Sequence, residues 1–213
     1  MKHLLADGLE VLGIESSEQQ RDNWLGYVAL LVKWNKAYNL TAVRDPQGMI
    51  SRHILDSLSI AHHIQGQKLL DVGAGAGIPS IPLAILWPDR QIIALDSNGK
   101  KTRFMEQVRS ELDLGNFTAL QTRVEDYQPN ELFDGILSRA FASLGSFVSL
   151  SQHLLAHDGA FWAMKAVIDT GELSEVQKPY MVSACLPLQV PDSVAERHLV
   201  VIRREGVTPA NIL

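Results

Sequence analysis

Leu69-Leu70-Asp71-Val72-Gly73-Ala74-Gly75-Ala76-Gly77-Ile78-Pro79 places three glycines at alternate positions, directly after a short apolar run and directly before a helical pattern. That order is a strand, a tight turn and a helix start, the place where α/β proteins hold nucleotide-like ligands. Glycine serves there because the turn visits positive φ and because a ligand approaches bare backbone. A tight turn needs at most two such glycines. Spacing narrows the choice further. A dinucleotide fingerprint Gly-x-Gly-x-x-Gly starting at Gly73 requires its third glycine at position 78. Position 78 is Ile, and the third glycine stands at 77.

Gly-x-Gly-x-Gly after an Asp-Val strand end resembles motif I of the S-adenosylmethionine-dependent methyltransferases. The chain on either side fits that comparison. Downstream, the pattern alternates strand and helix. Strands are expected at Lys68–Val72, Gln91–Asp96, Phe117–Gln121, Phe133–Ser138 and, after an Asp158-Gly159 turn, Ala160–Ala166. Helices are expected from Ile78 to about Leu86, over Lys100–Leu112, through about Leu154 and, weakly, near Glu172–Gln177. Tyr180–Val190 and His198–Arg203 read as two closing strands with no helix between them. Alternation implies a mainly parallel sheet covered on both faces. The closing pair adds one antiparallel member. The expected fold is therefore α/β, a Rossmann-like class I methyltransferase with a seven-stranded sheet.

Upstream, residues 1–65 read as a helical extension to a methyltransferase domain over 66–213. Ser17-Glu18-Gln19-Gln20 has capping-box spacing. Trp24, Tyr27, Val28, Leu31 and Trp34 then recur at helical spacing as an apolar stripe, which reads as packing. Asp45-Pro46 starts another helix, Asp as N-cap and Pro at the first helical position. That helix carries Arg52, His53, Asp56 and Ser57 toward the glycine loop, with His53 and Asp56 spaced to pair on one face.

The 213 residues are 46% hydrophobic, enough for a substantial core. No apolar run approaches the roughly 20 residues of a membrane span. The start, Met1-Lys2-His3-Leu4-Leu5-Ala6-Asp7, meets an acid too early for a secretory leader, so a cytoplasmic protein is expected. Cys185, the only cysteine, lies in an apolar segment and reads as buried and structural. His62-His63 point different ways on a helix, and no metal-ligand spacing occurs. Gly-x-Ser-x-Gly and P-loop patterns are absent, which removes the hydrolase and P-loop readings. A net charge of −5 argues against a general nucleic-acid binder. It leaves room for a local basic face: Lys33, Lys36, Arg44 and Arg52 stand against one acid, Asp45, in the same stretch.

Candidate site residues follow from strand ends. Asp96 ends the second strand, where a carboxylate accepts hydrogen bonds from ribose hydroxyls, with helix capping as the alternative. Val124 and Glu125 follow the third strand and border the adenine in this fold. Arg139 ends the fourth strand and can pair with a carboxylate or phosphate. Lys165 ends the fifth and is a similar candidate.

Lys33-Trp34-Asn35-Lys36-Ala37-Tyr38-Asn39-Leu40-Thr41, Arg52-His53-Ile54-Leu55-Asp56-Ser57, the glycine loop running into Ile78-Pro79-Ser80-Ile81-Pro82-Leu83, Ser138-Arg139-Ala140-Phe141-Ala142 and Glu196-Arg197-His198-Leu199-Val200-Val201-Ile202 stand in one order. Together they resemble the bacterial ribosomal RNA small-subunit methyltransferase G family, also called glucose-inhibited division protein B, over essentially the whole chain. The loop has Ala74-Gly75-Ala76 where members often have Thr-Gly-Pro; both suit a tight turn. The resemblance implies methylation at N7 of one guanosine in a hairpin loop of 16S rRNA near the decoding site, with S-adenosylmethionine as cofactor. It makes Gly73, Ile78, Val124, Glu125 and Arg139 cofactor contacts. Asp71, Gly75, Gly77 and Asp96 complete the expected cofactor set. Arg139 and Lys165 are expected to act by positioning and charge without a general base. Lys33, Arg44, Arg52, His53 and Arg197 are expected on RNA, naked or in a small-subunit particle, with the protein acting as a monomer. A small-molecule methyltransferase, or a non-catalytic cofactor-binding protein on the same fold, is the alternative.

Overall fold

The computed structural model describes residues 1–139, 141, 143–193 and 195–207. Ala140 and Ala142 of the fourth quoted motif, and the last six residues, lie outside the described residues. The N-terminal part forms α1 (Lys2–Val11), α2 (Glu18–Tyr38), α3 (Pro46–Met49), a π-helical turn (Ile50–Leu55), α4 (Asp56–Leu58) and a 3₁₀ turn (Ala61–His63). The rest alternates as β1 (Lys68–Val72), α5 (Ser80–Leu86), β2 (Gln91–Asp96), α6 (Gly99–Glu111), β3 (Phe117–Gln121), β4 (Phe133–Ser138), α7 (Leu144–Ser151), β5 (Leu155–Lys165), α8 (Thr170–Ser174), β6 (Tyr180–Pro187) and β7 (His198–Arg204).

One seven-stranded sheet has the order β3-β2-β1-β4-β5-β7-β6. All pairs from β3 through β5 are parallel, and β7 runs antiparallel to both neighbours. This is the expected sheet. Strand order reverses between β1 and β4, so a crevice opens at their carboxyl ends, where ligands bind in open α/β sheets.

Two expectations fail locally. No turn forms at Asp158-Gly159; β5 starts at Leu155 and runs through it. A Cβ on Gly159 would lie 2.8 Å from the Asp134 carbonyl oxygen, and the β4–β5 register shifts nearby. Glycine here permits a close backbone approach at an irregular strand pair. Cys185 is exposed. It lies on β6, an edge strand whose residues alternate between partly covered and exposed, so an apolar run there does not imply burial.

The helix starts follow their sequence signals. Ser17 and Gln20 form a reciprocal capping box, and Asp45 caps α3 with Pro46 at its first position. On one sheet face, Trp24, Tyr27, Val28 and Leu31 of α2 join Ile81 and Ile85 of α5 and Phe104 of α6 in a single apolar cluster. Phe147 of α7 and Phe161 of β5 anchor the cluster on the opposite face. Each fully buried large side chain contributes about 1.5–3 kcal/mol relative to exposure.

Candidate active site at the carboxyl edge of the sheet

The glycine loop leaves β1 with Gly73, Gly75 and Gly77 at φ +71°, +62° and +81°. All three require the left-handed region, one more than a tight turn was expected to need. Their surroundings differ. Nothing lies within 4 Å of a Cβ built on Gly73, and at Gly75 the nearest atom is the Gly73 carbonyl oxygen at 4.0 Å. Those two positions face open space. At Gly77 a Cβ would meet Ile81 Cδ1 at 2.3 Å, so this glycine lets the loop pack onto α5. The backbone N–H groups of Gly73 and Ala74 donate to the Leu95 carbonyl at 2.9 and 3.0 Å. Those of Gly77 and Ile78 donate back to Ala74 at 2.9 and 3.0 Å, and Ile78 is buried.

Two carboxylates sit beneath this loop. Asp96, 7% exposed, accepts from the Gly75 N–H at 3.0 Å and the Asn98 N–H at 2.8 Å, with Lys101 at 3.3 Å. The cap of α6 is Asn98, which accepts from the Lys100 N–H at 2.9 Å. Asp96 is therefore not the helix cap, and Lys101, more exposed than its partner, is the exchangeable contact. Asp71 is fully buried. Its Oδ2 accepts from the Ser80 N–H at 3.2 Å, while Oδ1 has no partner. Burial raises its carboxyl to about 6, against the pull of Ser80 and Arg139. A buried carboxylate oxygen left unpaired calls for a specific explanation. Open glycine backbone, a carboxylate beside it and an orphaned acidic oxygen fit a ribonucleoside with a cationic head. Val124 and Glu125 occupy a 3₁₀ turn after β3; Val124 is buried, and Glu125 is exposed with Arg123 at 3.6 Å.

A second cluster opens as a cleft of about 300 Å³ lined by Arg52, His53, Asp56, Arg139, Lys165 and Arg197, among others. Asp56 is its hub. One oxygen takes Arg139 at 3.0 Å and the other Arg197 at 3.0 Å. Arg139 also donates to the Arg52 carbonyl at 2.9 Å. Lys165 is ion-paired with Glu172, which also accepts the Leu144 N–H at 3.0 Å. Arg139 follows β4, which pairs with β1, the strand that leads into the glycine loop, and its charge acts on both Asp71 and His53.

His53 does not make the pair expected of it. It makes no pair with Asp56, because the wider π turn changes which residues share a face and both Asp56 oxygens hold arginines. It lines the cleft but is 2% exposed, with both ring nitrogens turned to protein partners. Its Nδ1 donates to the Arg52 carbonyl at 2.9 Å, and Nε2 accepts from the Thr41 hydroxyl at 2.9 Å. Burial, reinforced by Arg139, lowers its pKa to about 4. Of the other expected RNA contacts, Lys33, Arg44 and Arg52 are exposed. Arg44 reaches Asn39 Oδ1 at 2.8 Å, and Arg197 is held on Asp56 rather than free.

Sequence reading did not single out Glu172, Thr41 or Tyr27 as site-forming. Tyr27 donates to the Ala76 carbonyl at 2.9 Å, and its only signal was a polar tip on an apolar stripe. Among the described residues, no group of three His, Cys, Asp or Glu can hold a metal ion, and no helix is long and apolar enough to cross a membrane.

A family model described as rRNA small subunit methyltransferase G matches residues 20–200. The chain is 48% identical over 200 residues to ribosomal RNA small subunit methyltransferase G of Pseudomonas syringae pv. tomato, covering 94% of this chain and 95% of the relative. It is 47% identical over 206 residues to the protein of that name from Idiomarina loihiensis, covering 97% and 100%. Among solved structures it resembles the glycopeptide N-methyltransferase MtfA complexed with S-adenosylmethionine, with TM-score 0.60, 11% identity, and 71% and 94% coverage of the two chains. It also resembles precorrin-6y C5,15-methyltransferase of Geobacter metallireducens, with TM-score 0.53, 15% identity, and 79% and 92% coverage. Those two likenesses establish the class I methyltransferase fold.

Proposed function

The chain belongs to the rRNA small subunit methyltransferase G family, and from that premise we propose that it methylates N7 of one guanosine in a hairpin loop of 16S rRNA near the decoding site. S-adenosylmethionine, when bound, supplies an electrophilic methyl group on a sulfonium. In this reading Gly73 and Gly75 give the nucleoside open backbone, Asp96 accepts from ribose hydroxyls, and Asp71 provides negative charge near the cationic end. Ile78 contacts the cofactor, Val124 and Glu125 border the base, Gly77 seats the loop on α5, and Arg139 faces the methionyl carboxylate or an RNA phosphate. Lys165 contributes charge and positioning from the same cleft. Guanine N7 carries a free lone pair. It can accept a methyl group without first losing a proton, so no residue of this chain is required as a general base. Catalysis then rests on in-line positioning. Structured RNA hides N7 in a deep, narrow groove, so the guanosine is presented from a loop. The protein acts as a monomer in the cytoplasm.

The observation that carries the reading is the opening of a bare glycine backbone and a basic cleft at the same carboxyl edge of the sheet. Methyl transfer from radiolabelled cofactor to naked 16S rRNA, a precursor particle and the mature subunit tests it, with small molecules as controls. Digestion of the product and mass spectrometry should identify 7-methylguanosine. Label on small molecules alone, or cofactor binding without transfer, would replace it with one of the two alternatives.

A further inference from the structure

Helix α2 grips the cofactor side of the sheet with three side chains spaced along one face. Gln20 Nε2 donates to the Ile85 and Leu86 carbonyls at 3.0 Å each, and Trp24 Nε1 to the Pro82 carbonyl at 3.1 Å. Tyr27 donates to the Ala76 carbonyl at 2.9 Å. The bonds from Gln20 and Trp24 end on α5. The Tyr27 bond ends inside the glycine loop, between Gly75 and Gly77.

Among the described residues, Leu95 and Asp96 of β2 hold the first half of this loop, the Ile81 N–H of α5 donates to the Gly77 carbonyl at its end, and Tyr27 alone reaches the loop backbone from the N-terminal helices. It is fully buried, with its ring 6.1 Å from that of Phe104. Burial pushes its hydroxyl far above the ordinary tyrosine range, so it stays protonated and remains a donor. A loop with three positive-φ glycines has much backbone freedom to lose on ordering. Holding it beforehand removes that loss from ligand binding.

We propose that Tyr27 is a positioning residue for the cofactor: its hydroxyl, bound to the Ala76 carbonyl, keeps residues 73–77 in the ligand-ready conformation. The proposal rests on the reading of the glycine loop as the S-adenosylmethionine site. It assigns part of the cofactor affinity to a helix that lies outside the sheet.

Tyr27→Phe keeps the ring and deletes the donor, leaving a buried carbonyl unpaired. Gln20→Met is the comparison, because it removes the bonds to α5 and half of the α2 capping box without touching the loop. Both full-length variants should be titrated with S-adenosylmethionine by calorimetry, melted, and followed by hydrogen exchange. Tyr27→Phe should weaken cofactor binding on the order of five- to tenfold, part of the effect of leaving a buried acceptor unpaired. It should raise KM for the cofactor while kcat at saturation stays within about twofold, as loss of uniform binding requires. Amide exchange over residues 73–78 should accelerate while that of β1 does not. Gln20→Met should lower the melting temperature without changing cofactor affinity. Unchanged affinity and exchange in Tyr27→Phe would overturn the proposal, as would affinity losses in both variants that simply track their melting temperatures. Failure of the unaltered protein to bind S-adenosylmethionine would instead overturn the reading of the loop itself.

Discussion

Burial acts in opposite directions on two ionisable side chains near the site. His53 is held down to about 4 and Asp71 up to about 6, because in each case burial favours the neutral form. As pH falls from the ordinary histidine value of 6.5 toward 4, the unfolded chain gains a proton at His53 that the folded protein refuses, so stability falls. As pH falls from 6 toward 3.8, the folded protein gains a proton at Asp71 that the unfolded chain refuses, so stability rises. Each slope is at most about 1.4 kcal/mol per pH unit, and the two oppose each other over nearly the same window. Urea unfolding of His53→Gln between pH 4 and 6.5 should therefore show relative stabilisation toward acid. Asp71→Asn should show a steeper acid loss than the unaltered protein. Three parallel profiles would mean that neither group is perturbed. The Asp56 clamp obeys a related constraint: a carboxylate almost wholly removed from water is stable when both oxygens are met by guanidinium groups.

At the scale of elements, the basic residues on and around the segment from α2 to α4 divide between two duties. Arg197 and Arg139 converge on α4 at Asp56 and hold the cleft together. Lys33 on α2, Arg44 in the following turn and Arg52 in the π turn remain exposed. If these three meet phosphates, each neutralised contact contributes roughly 0.7–0.9 to the log–log dependence of RNA affinity on salt. Replacing all three with Ala should flatten the slope by roughly 2–3 and leave cofactor titration unchanged. An unaltered slope would assign them to a solvated face. The π turn itself carries no sequence mark that a period of 3.6 would reveal, and the expected His53–Asp56 pair failed for that reason.

Across the whole molecule, the N-terminal helices do not have a core of their own. Leu5, Trp24, Tyr27 and Leu31 share one cluster with Leu69, Ile81, Ile92 and Phe104. A fragment of residues 66–213 would expose the α5 and α6 side of that cluster and lose the four bonds from Gln20, Trp24 and Tyr27. Such a fragment should lack a cooperative thermal transition and near-ultraviolet circular dichroism, and the full chain should show both. A sharp transition in the fragment would establish the helical part as a separable appendage.

What the sequence determined by itself was whatever depends on neighbours along the chain. Four strands, β1 to β4, lie where alternation and apolar runs placed them, and the capping box and the Asp45-Pro46 start formed as read. The spacing of Gly73, Gly75 and Gly77 located the loop, because positive φ and bare backbone are local requirements. Tertiary structure alone decided which charges are free. Asp56 lies 83 residues from Arg139 and 141 from Arg197, and Tyr27 lies 49 from Ala76. No local pattern records such pairings. Strand order and the packing of α2 bring them within hydrogen-bond reach, and burial then fixes who is charged, who is paired and who still faces solvent.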